Sequence, residues 1–465
     1  MGLNYWEAMA YIKQLAGRRG IHLGLSRMER LLVRLGNPQQ KLSYVHIGGT
    51  NGKGSVCAMV SSILQSTGLR VGLFTSPHLE RYTERFQINR KEIAPEEIAR
   101  LITEIQPHLE QMTAEGYEYP TEFEVSAAIA FKFFAEARVD LAVLEVGLGG
   151  ELDATNVIQP LVTVITNVSL DHQSILGASL AQITQAKAGI IKPGVPVVTA
   201  ATGEAWSIIN DTAQRLGSPV IRVFSSPPLE KGTGESAVWL QSSVEGREGD
   251  WGQTIEVQGL ERKYQDLWVP LPGEHQGINA LTAVAVVELL HQQGFALTEA
   301  EIYKGLATVN WPGRLELMVS DPLTILDGAH NPAGAQRLAR FLRRVFSDYR
   351  LVFVLGILED KDRYGIVSEL APLAEVVIVT APPGPRAGNW AVIAEQAKSY
   401  ARQVLIRESL PEALMTGWRI VEQWRQKGEN GLLCISGSLY LIGEVRKIIK
   451  QVEIKKIKKK YEKII

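Results

Sequence analysis

Apolar positions in the first two hundred residues follow two alternating periods. Short runs rich in β-branched residues read as buried strands: LSYVHI (42–47), RVGLF (70–74), DLAVLEV (140–146), LVTVIT (161–166) and VPVV (195–198). Between them, segments such as SVCAMVSSILQSTG and EEIARLITEIQPHLEQM place apolar residues three and four apart, which predicts helices. Strands alternating with helices predict βαβ units and a parallel sheet. From about 220 to 272 the texture changes to VIRVF, AVWLQSS, QTIEVQG and DLWVPL, separated by Gly- and Ser-rich turns. This predicts an antiparallel β extension, closed by the helix INALTAVAVVELLHQQG.

After NWPGRLE (310–316) a second alternation begins, with LTILD, YRLVFVLGI, EVVIVTAP and GLLCIS as its strands. Pro312 and Gly313 mark the boundary. The expected architecture is α/β throughout. A parallel-sheet N-terminal domain with a small antiparallel β extension spans residues 1–311. A smaller Rossmann-like α/β domain spans 312–465.

The ends of the runs carry the chemistry. GGTNGKGS, TSPHLE, GLGGELDATN and NVSLDH each begin where an apolar run stops. In open α/β sheets ligands bind at the carboxyl ends of the strands, so these motifs share one rim. The turn VHIGGTNGKGS (45–55) departs from the common phosphate-loop spacing G-x-x-x-x-G-K-[ST]. Ile47 stands five before Gly52, and the hydroxyl arrives one residue late, at Ser55 after Gly54. Glycines still let backbone N–H groups converge on an anion at a helix N-terminus, and Lys53 supplies a point charge for β- and γ-phosphates. A mere tight turn leaves Lys53 unexplained.

A nucleoside triphosphate brings magnesium, which takes oxygen ligands in octahedral geometry. Glu145 ends the run LAVLEV, where an unpaired carboxylate is costly. Ser76 and His172 end neighbouring runs, and beside Glu145 the histidine reads as functional rather than structural. Lys187 sits in QAKAGIIKPG among small and apolar residues. A solvated surface lysine is its ordinary reading; a neutral amine and a carbamylated, metal-binding side chain are the others.

Composition narrows the class. The 465 residues suggest about two or three domains. At 45% hydrophobic and 21% charged, with net charge −1, nothing advertises nucleic acid or a membrane. Cys57 and Cys434 form neither a disulfide framework nor a CxxC metal spacing. The start MGLNYWEAMAYIKQL lacks the regions of a signal peptide, and no apolar run approaches the ~18 residues of a membrane span. A cytoplasmic protein is expected. The basic end RKIIKQVEIKKIKKKYEKII reads as an amphipathic terminal helix, with a nucleic-acid or membrane-surface patch as the alternative.

Taken together, these motifs resemble the folylpolyglutamate synthase/dihydrofolate synthase family of the Mur ligase superfamily, whose members are ATP-dependent amide-forming ligases. GTNGKGS is similar to that superfamily's phosphate loop. Agreement continues through FTSPHL, RYTER, EVGLGG and LDATN, LDH and LG, KAGIIKPG, PGRLE, DGAHNP, DKD, PR and GSLYLIGEVR, in family order along nearly the whole chain. The resemblance implies addition of L-glutamate to dihydropteroate, or to the γ-carboxylate of tetrahydrofolyl-glutamates, through an acyl phosphate. It implies ATP as co-substrate, two Mg2+ ions, a place in folate biosynthesis and one-carbon metabolism, and a cytoplasmic monomer without nucleic-acid or membrane partners.

Roles carry over position by position. Gly52, Lys53, Gly54 and Ser55 would hold the ATP phosphates, with Asn279, Arg314 and Asp327 completing the ATP site. Ser76, Glu145 and His172 would bind magnesium, and Lys187 matches the lysine carbamylated in this family. The pterin would lie near Ile21, His22 and Leu23, near Thr121, Glu122, Phe123 and Glu124, and near Leu152, Asp153 and Ala154. His330 of DGAHNP would serve the acyl phosphate or the glutamate, so Lys53, Lys187 and His330 are the catalytic candidates. The chain departs from the pattern at Glu151 (usually Arg), Ala186 (usually Glu) and Arg90 (often Gly). With the nucleotide and metal positions intact, an active enzyme is expected.

The rival readings are another Mur-type ligase, a P-loop ATPase without ligase activity, and a silent nucleotide-binding protein. Mur ligases that take UDP-linked substrates carry a further domain ahead of the cradle. Here Gly48 follows only 47 residues.

Overall fold

The computed structural model describes residues 2–18, 24–227, 236–245 and 251–461. Within it the chain forms two compact units, Met1–Asn310 and Trp311–Ile465.

The first unit is built on an 11-stranded sheet. The strand Tyr44–Gly48 is buried at every position and lies between Leu141–Glu145 and Val162–Ile165, both parallel to it. Ile47 stands opposite Glu145 on one side and Val164 on the other. Val71–Phe74 extends the parallel sheet beyond Leu141–Glu145, and Val197–Thr199 and Val220–Phe224 extend it the other way. Helices cover both faces of these strands, which is why they appear in the sequence as unbroken apolar runs.

Two features differ from the sequence expectation. VIRVF was expected in the antiparallel extension, yet Val220–Phe224 pairs parallel with both Val197–Thr199 and Ser236–Glu245. The helix Gly203–Arg215 supplies the crossover that returns this strand in the parallel sense. Its alternating burial imitates a hairpin strand. Antiparallel pairing starts only with Ser236–Glu245, Gln253–Gln258 and Lys263–Val269, which continue the same sheet. At the opposite edge, Phe86–Ile88 and Lys91–Glu92 form a hairpin that the sequence reading did not anticipate.

The helix Lys53–Ser66 springs from the turn after Tyr44–Gly48 and packs against Glu274–Gln292 and Glu299–Ala307. On the side of helices Pro95–Ala114 and Glu122–Glu136 the core gathers Tyr44, Phe74, Phe86, Phe131 and Phe134. Tyr44 meets Phe131 edge to face with ring centroids 6.0 Å apart.

The second unit holds a 6-stranded sheet. Its order is Glu316–Ser320, Leu323–Leu326, Gly431–Ser436, Arg350–Leu355, Val376–Val379, Gln403–Ile406, antiparallel in the first pair and parallel thereafter. The basic tail belongs to the helix Leu439–Tyr461, anchored by the buried Leu441, Ile442, Val445 and Ile449.

Candidate active site

The phosphate-loop turn is shaped from two directions. Gly49 has φ +130°, and a Cβ there would lie 2.0 Å from Thr166 Oγ1. Gly52 has φ +90°, and a Cβ there would lie 2.5 Å from Asn279 Oδ1. Both positions need glycine on sterics and on backbone conformation. The loop after Val162–Ile165 then clasps the turn. Thr50 N–H donates to the Asn167 carbonyl (2.8 Å), Asn51 N–H to Asn167 Oδ1 (3.2 Å), and Asn167 Nδ2 returns a bond to the Asn51 carbonyl (2.7 Å). Thr166 Oγ1 donates to the same carbonyl at 2.8 Å. The helical ladder opens with Val56 N–H to the Gly52 carbonyl, so the amides of Lys53, Gly54 and Ser55 belong to the open first turn of the helix. That is an anion site by construction.

Lys53 Nζ lies 3.3 Å from the Thr50 carbonyl and 4.0 Å from Glu145 Oε1. Glu145 is 5% exposed, and its Oε2 accepts the Ser76 N–H at 3.1 Å. Three strand ends thus bring Lys53, Glu145 and Ser76 together. Lys187, 6% exposed at the end of helix Leu180–Ala188, donates from Nζ to the Gly49 carbonyl at 2.9 Å. It sits beneath the cradle and not in solvent. His172 follows the clasping loop on the same rim, in the left-handed region at φ 52°, with its N–H on Asp171 Oδ1 at 2.8 Å. Among the described residues there is no group of three or more His, Cys, Asp and Glu side chains able to hold a metal. What stands beside the phosphate cradle is instead the Glu145 carboxylate, with Ser76 held against it through its backbone N–H. That suits magnesium, which binds through one or two protein ligands and completes its shell with phosphate oxygens and water.

The neighbouring face gathers the pterin-side candidates. Thr121 caps helix Glu122–Glu136, its Oγ1 accepting Glu124 N–H at 3.2 Å while Glu124 Oε2 accepts Thr121 N–H at 2.7 Å. Glu124 is buried and also takes Arg27 Nε at 3.1 Å, so its carboxylate holds the helix start in place. Glu122 accepts Arg85 Nη1 at 2.8 Å, and Arg85 Nε donates to His78 Nδ1 at 3.1 Å. The Phe123 ring lies against Gly147, where a Cβ would come within 2.3 Å of it. In the following loop Leu152 is 44% exposed, while Asp153 and Ala154 are buried. Asp153 Oδ2 accepts Leu148 N–H at 2.8 Å. Ile21, His22 and Leu23 lie outside the described residues.

Asn279 Nδ2 donates to Gln276 Oε1 at 2.9 Å, which leaves its carbonyl oxygen against Gly52. In the second unit, Asp327 follows the strand Leu323–Leu326 and accepts Leu315 N–H and Ala329 N–H, each at 2.9 Å. Burial pushes its carboxyl upward and the Arg314 guanidinium opposes that shift. His330 Nδ1 lies 2.8 Å from the Gly328 carbonyl, so Nδ1 carries a proton.

Sequence reasoning passed over Asn167, Thr166, Gln276, Arg85 and His78. Arg85 and His78 were present in the motifs RYTER and TSPHL, where an arginine and a histidine at a strand end were the available signal. Asn167 opens the rim motif NVSLDH, but its partner Asn51 is 116 positions away, so the clasp itself had no local signal.

The chain is similar to known proteins in sequence and in fold. The Mur ligase middle domain matches residues 47–287, and the Mur ligase, glutamate ligase domain matches residues 313–439, which defines the class. The dihydrofolate synthase/folylpolyglutamate synthase of Bacillus subtilis is 35% identical over 434 residues, 93% of this chain and 96% of that protein. The folylpolyglutamate synthase of Lacticaseibacillus casei is 34% identical over 96% of this chain and 99% of its own length. Among solved structures, Mycobacterium tuberculosis folylpolyglutamate synthase complexed with ADP and AMPPCP superposes with TM-score 0.88 at 34% identity, covering 96% of this chain and 99% of that one. An FPGS–AMPPCP–folate complex superposes with TM-score 0.78 at 31% identity, over 96% of this chain and 100% of that one. The chain belongs to the folylpolyglutamate synthase/dihydrofolate synthase family of Mur ligases. Among the described residues, no helix is long and apolar enough to cross a membrane.

Proposed function

We propose that this chain is an ATP-dependent ligase that joins L-glutamate to the carboxylate of dihydropteroate or of a folyl-glutamate. The observation that carries the reading is one sheet rim holding an open phosphate turn, the Lys53–Glu145–Ser76 cluster and the 147–156 loop. Relatives solved with ADP, AMPPCP and folate support it.

A carboxylate oxygen is a poor leaving group, so an amide does not form directly. The γ-phosphoryl group moves to a carboxylate oxygen and ADP is the other product. The amine of glutamate then attacks the acyl carbon, and phosphate departs with that oxygen. The amides of Lys53, Gly54 and Ser55 and the Lys53 ammonium hold the β- and γ-phosphates, and Asn279 borders the nucleotide. Glu145 and Ser76, with His172, would hold magnesium, which neutralises phosphate charge when bound. Lys187, as a carbamate formed from its amine and carbon dioxide, would hold a second ion. Thr121, Glu122, Phe123, Leu152 and Ala154 border the pterin. Arg314 and Asp327 would serve the nucleotide, and His330 the acyl phosphate or the glutamate. The chain's contribution is positioning and charge neutralisation.

The test is product formation from Mg-ATP, L-glutamate and either dihydropteroate or tetrahydrofolate. ADP formation that depends on glutamate, with a product heavier by one glutamyl residue, is expected. ADP release at the same rate without glutamate contradicts the reading.

A further inference from the structure

His46 stands mid-strand in Tyr44–Gly48 with 0% of its surface exposed, and no step above uses it. Its Nε2 lies 2.8 Å from Thr155 Oγ1, and the Thr155 hydroxyl donates to Asp153 Oδ1 at 2.5 Å. A hydroxyl has one proton to give. Thr155 therefore accepts at the histidine, and Nε2 carries the imidazole proton. His46 Nδ1, which meets no hydrogen-bond partner among the described residues, keeps its lone pair. Burial keeps this ring neutral, and the nearby Lys192 acts in the same direction.

The row of donors runs one way, from imidazole N–H through hydroxyl to carboxylate. Asp153 Oδ1 also takes the Thr155 N–H at 3.0 Å, and Oδ2 takes Leu148 N–H at 2.8 Å. The carboxylate is thus engaged by its own loop and, through Thr155, by the strand below. That strand leads two residues later into the phosphate turn. One element therefore supports both the cradle and the loop that bears the exposed Leu152.

We infer that His46 is a positioning residue that acts through Thr155 on Asp153, holding residues 148–154 in the shape that receives the pterin-bearing substrate. The inference rests on the ligase reading for the identity of that substrate. A histidine that only satisfies the core would affect stability and leave the balance between the two substrates unchanged.

Three variants separate these roles. Thr155→Val removes the hydroxyl, His46→Phe removes the donor, and His46→Gln sets an amide nitrogen near the place of Nε2. Loss of the hydrogen bond to the Asp153 carboxylate predicts a rise of about tenfold in KM for the pterin substrate in Thr155→Val, and loss of the neutral imidazole–hydroxyl bond predicts a smaller rise, about threefold, in His46→Phe. The KM for ATP should stay level, and His46→Gln should recover most of the loss. Nitrogen-15 NMR of the histidine-labelled wild type, without substrate, should show the neutral Nε2–H tautomer. Hydrogen exchange of amides 148–155 should quicken in Thr155→Val and in His46→Phe. An Nδ1–H tautomer, or an unchanged pterin KM in folded Thr155→Val, overturns the inference. If the wild type makes no ligase product, the functional reading falls, and the tautomer and exchange rates still judge the relay. Should Thr155→Val fail to fold, the contrast between His46→Phe and His46→Gln decides.

Discussion

The backbone N–H of Glu151 donates to the carbonyl of Ala186 at 2.8 Å, joining two positions at which this chain departs from the pattern it otherwise resembles. The Glu151 side chain covers Gly189, where a Cβ would lie 2.3 Å from Glu151 Cβ. Residues 186 and 189 are three apart at the helix end and so share a face. Where the resembled pattern usually has arginine and glutamate, this chain has Glu151 and Ala186, so a carboxylate stands in the place of the cation.

Ala186→Glu alone should therefore set two carboxylates against each other, and adding Glu151→Arg should relieve them. The expected coupling in stability is about 0.5–1 kcal/mol, read from denaturant midpoints of the two single variants and the double variant. Additive effects would show that the two departures are independent.

Lys53→Ala should lower kcat by about 10²–10³, the usual effect of removing one group that stabilises developing charge. The melting temperature should stay near that of the wild type, because among the described residues the Lys53 ammonium has only the 3.3 Å and 4.0 Å polar contacts at the rim of the turn. Unchanged turnover removes Lys53 from the phosphate site.

Lys187→Ala should be nearly inactive, and formate should restore part of the rate by standing in for the carbamate. A crystal structure with nucleotide and magnesium should show added density on Nζ. A plain ammonium still bonded to the Gly49 carbonyl in that complex contradicts the assignment.

Burial lowers the His46 pKa from 6.5 to about 3. Between those values the folded state binds fewer protons than the unfolded one. The histidine's contribution is thus complete above pH 6.5 and is lost as pH falls toward 3, at about 1.4 kcal/mol per unit. Denaturant midpoints at neutral and acidic pH should fall less steeply in His46→Gln than in the wild type. Equal slopes would mean that the imidazole titrates normally in the fold.

Much of the first unit was legible because strands buried on both faces announce themselves. The runs at 42–47, 140–146 and 161–166 became Tyr44–Gly48, Leu141–Glu145 and Val162–Ile165. Val220–Phe224 misled because strand direction is set by the crossover helix and not by side-chain alternation. The hairpin Phe86–Ile88/Lys91–Glu92 was too short to show a period. In the site, Gly52 and Lys53 were readable from local spacing. The clasp by Asn167 and the relay from His46 to Asp153 were not, since each joins segments more than a hundred positions apart.

The central claim is that a carboxylate is activated by phosphorylation before glutamate attacks it. The direct measurement supplies the pteroate or folyl-glutamate acceptor with heavy oxygen in its reacting carboxylate and weighs the phosphate released. Attack by the glutamate amine expels that oxygen with the phosphoryl group, so one label should reach phosphate for each amide bond formed. Phosphate that stays unlabelled, and that accumulates equally without glutamate, would contradict the account and leave a nucleotide hydrolase in its place.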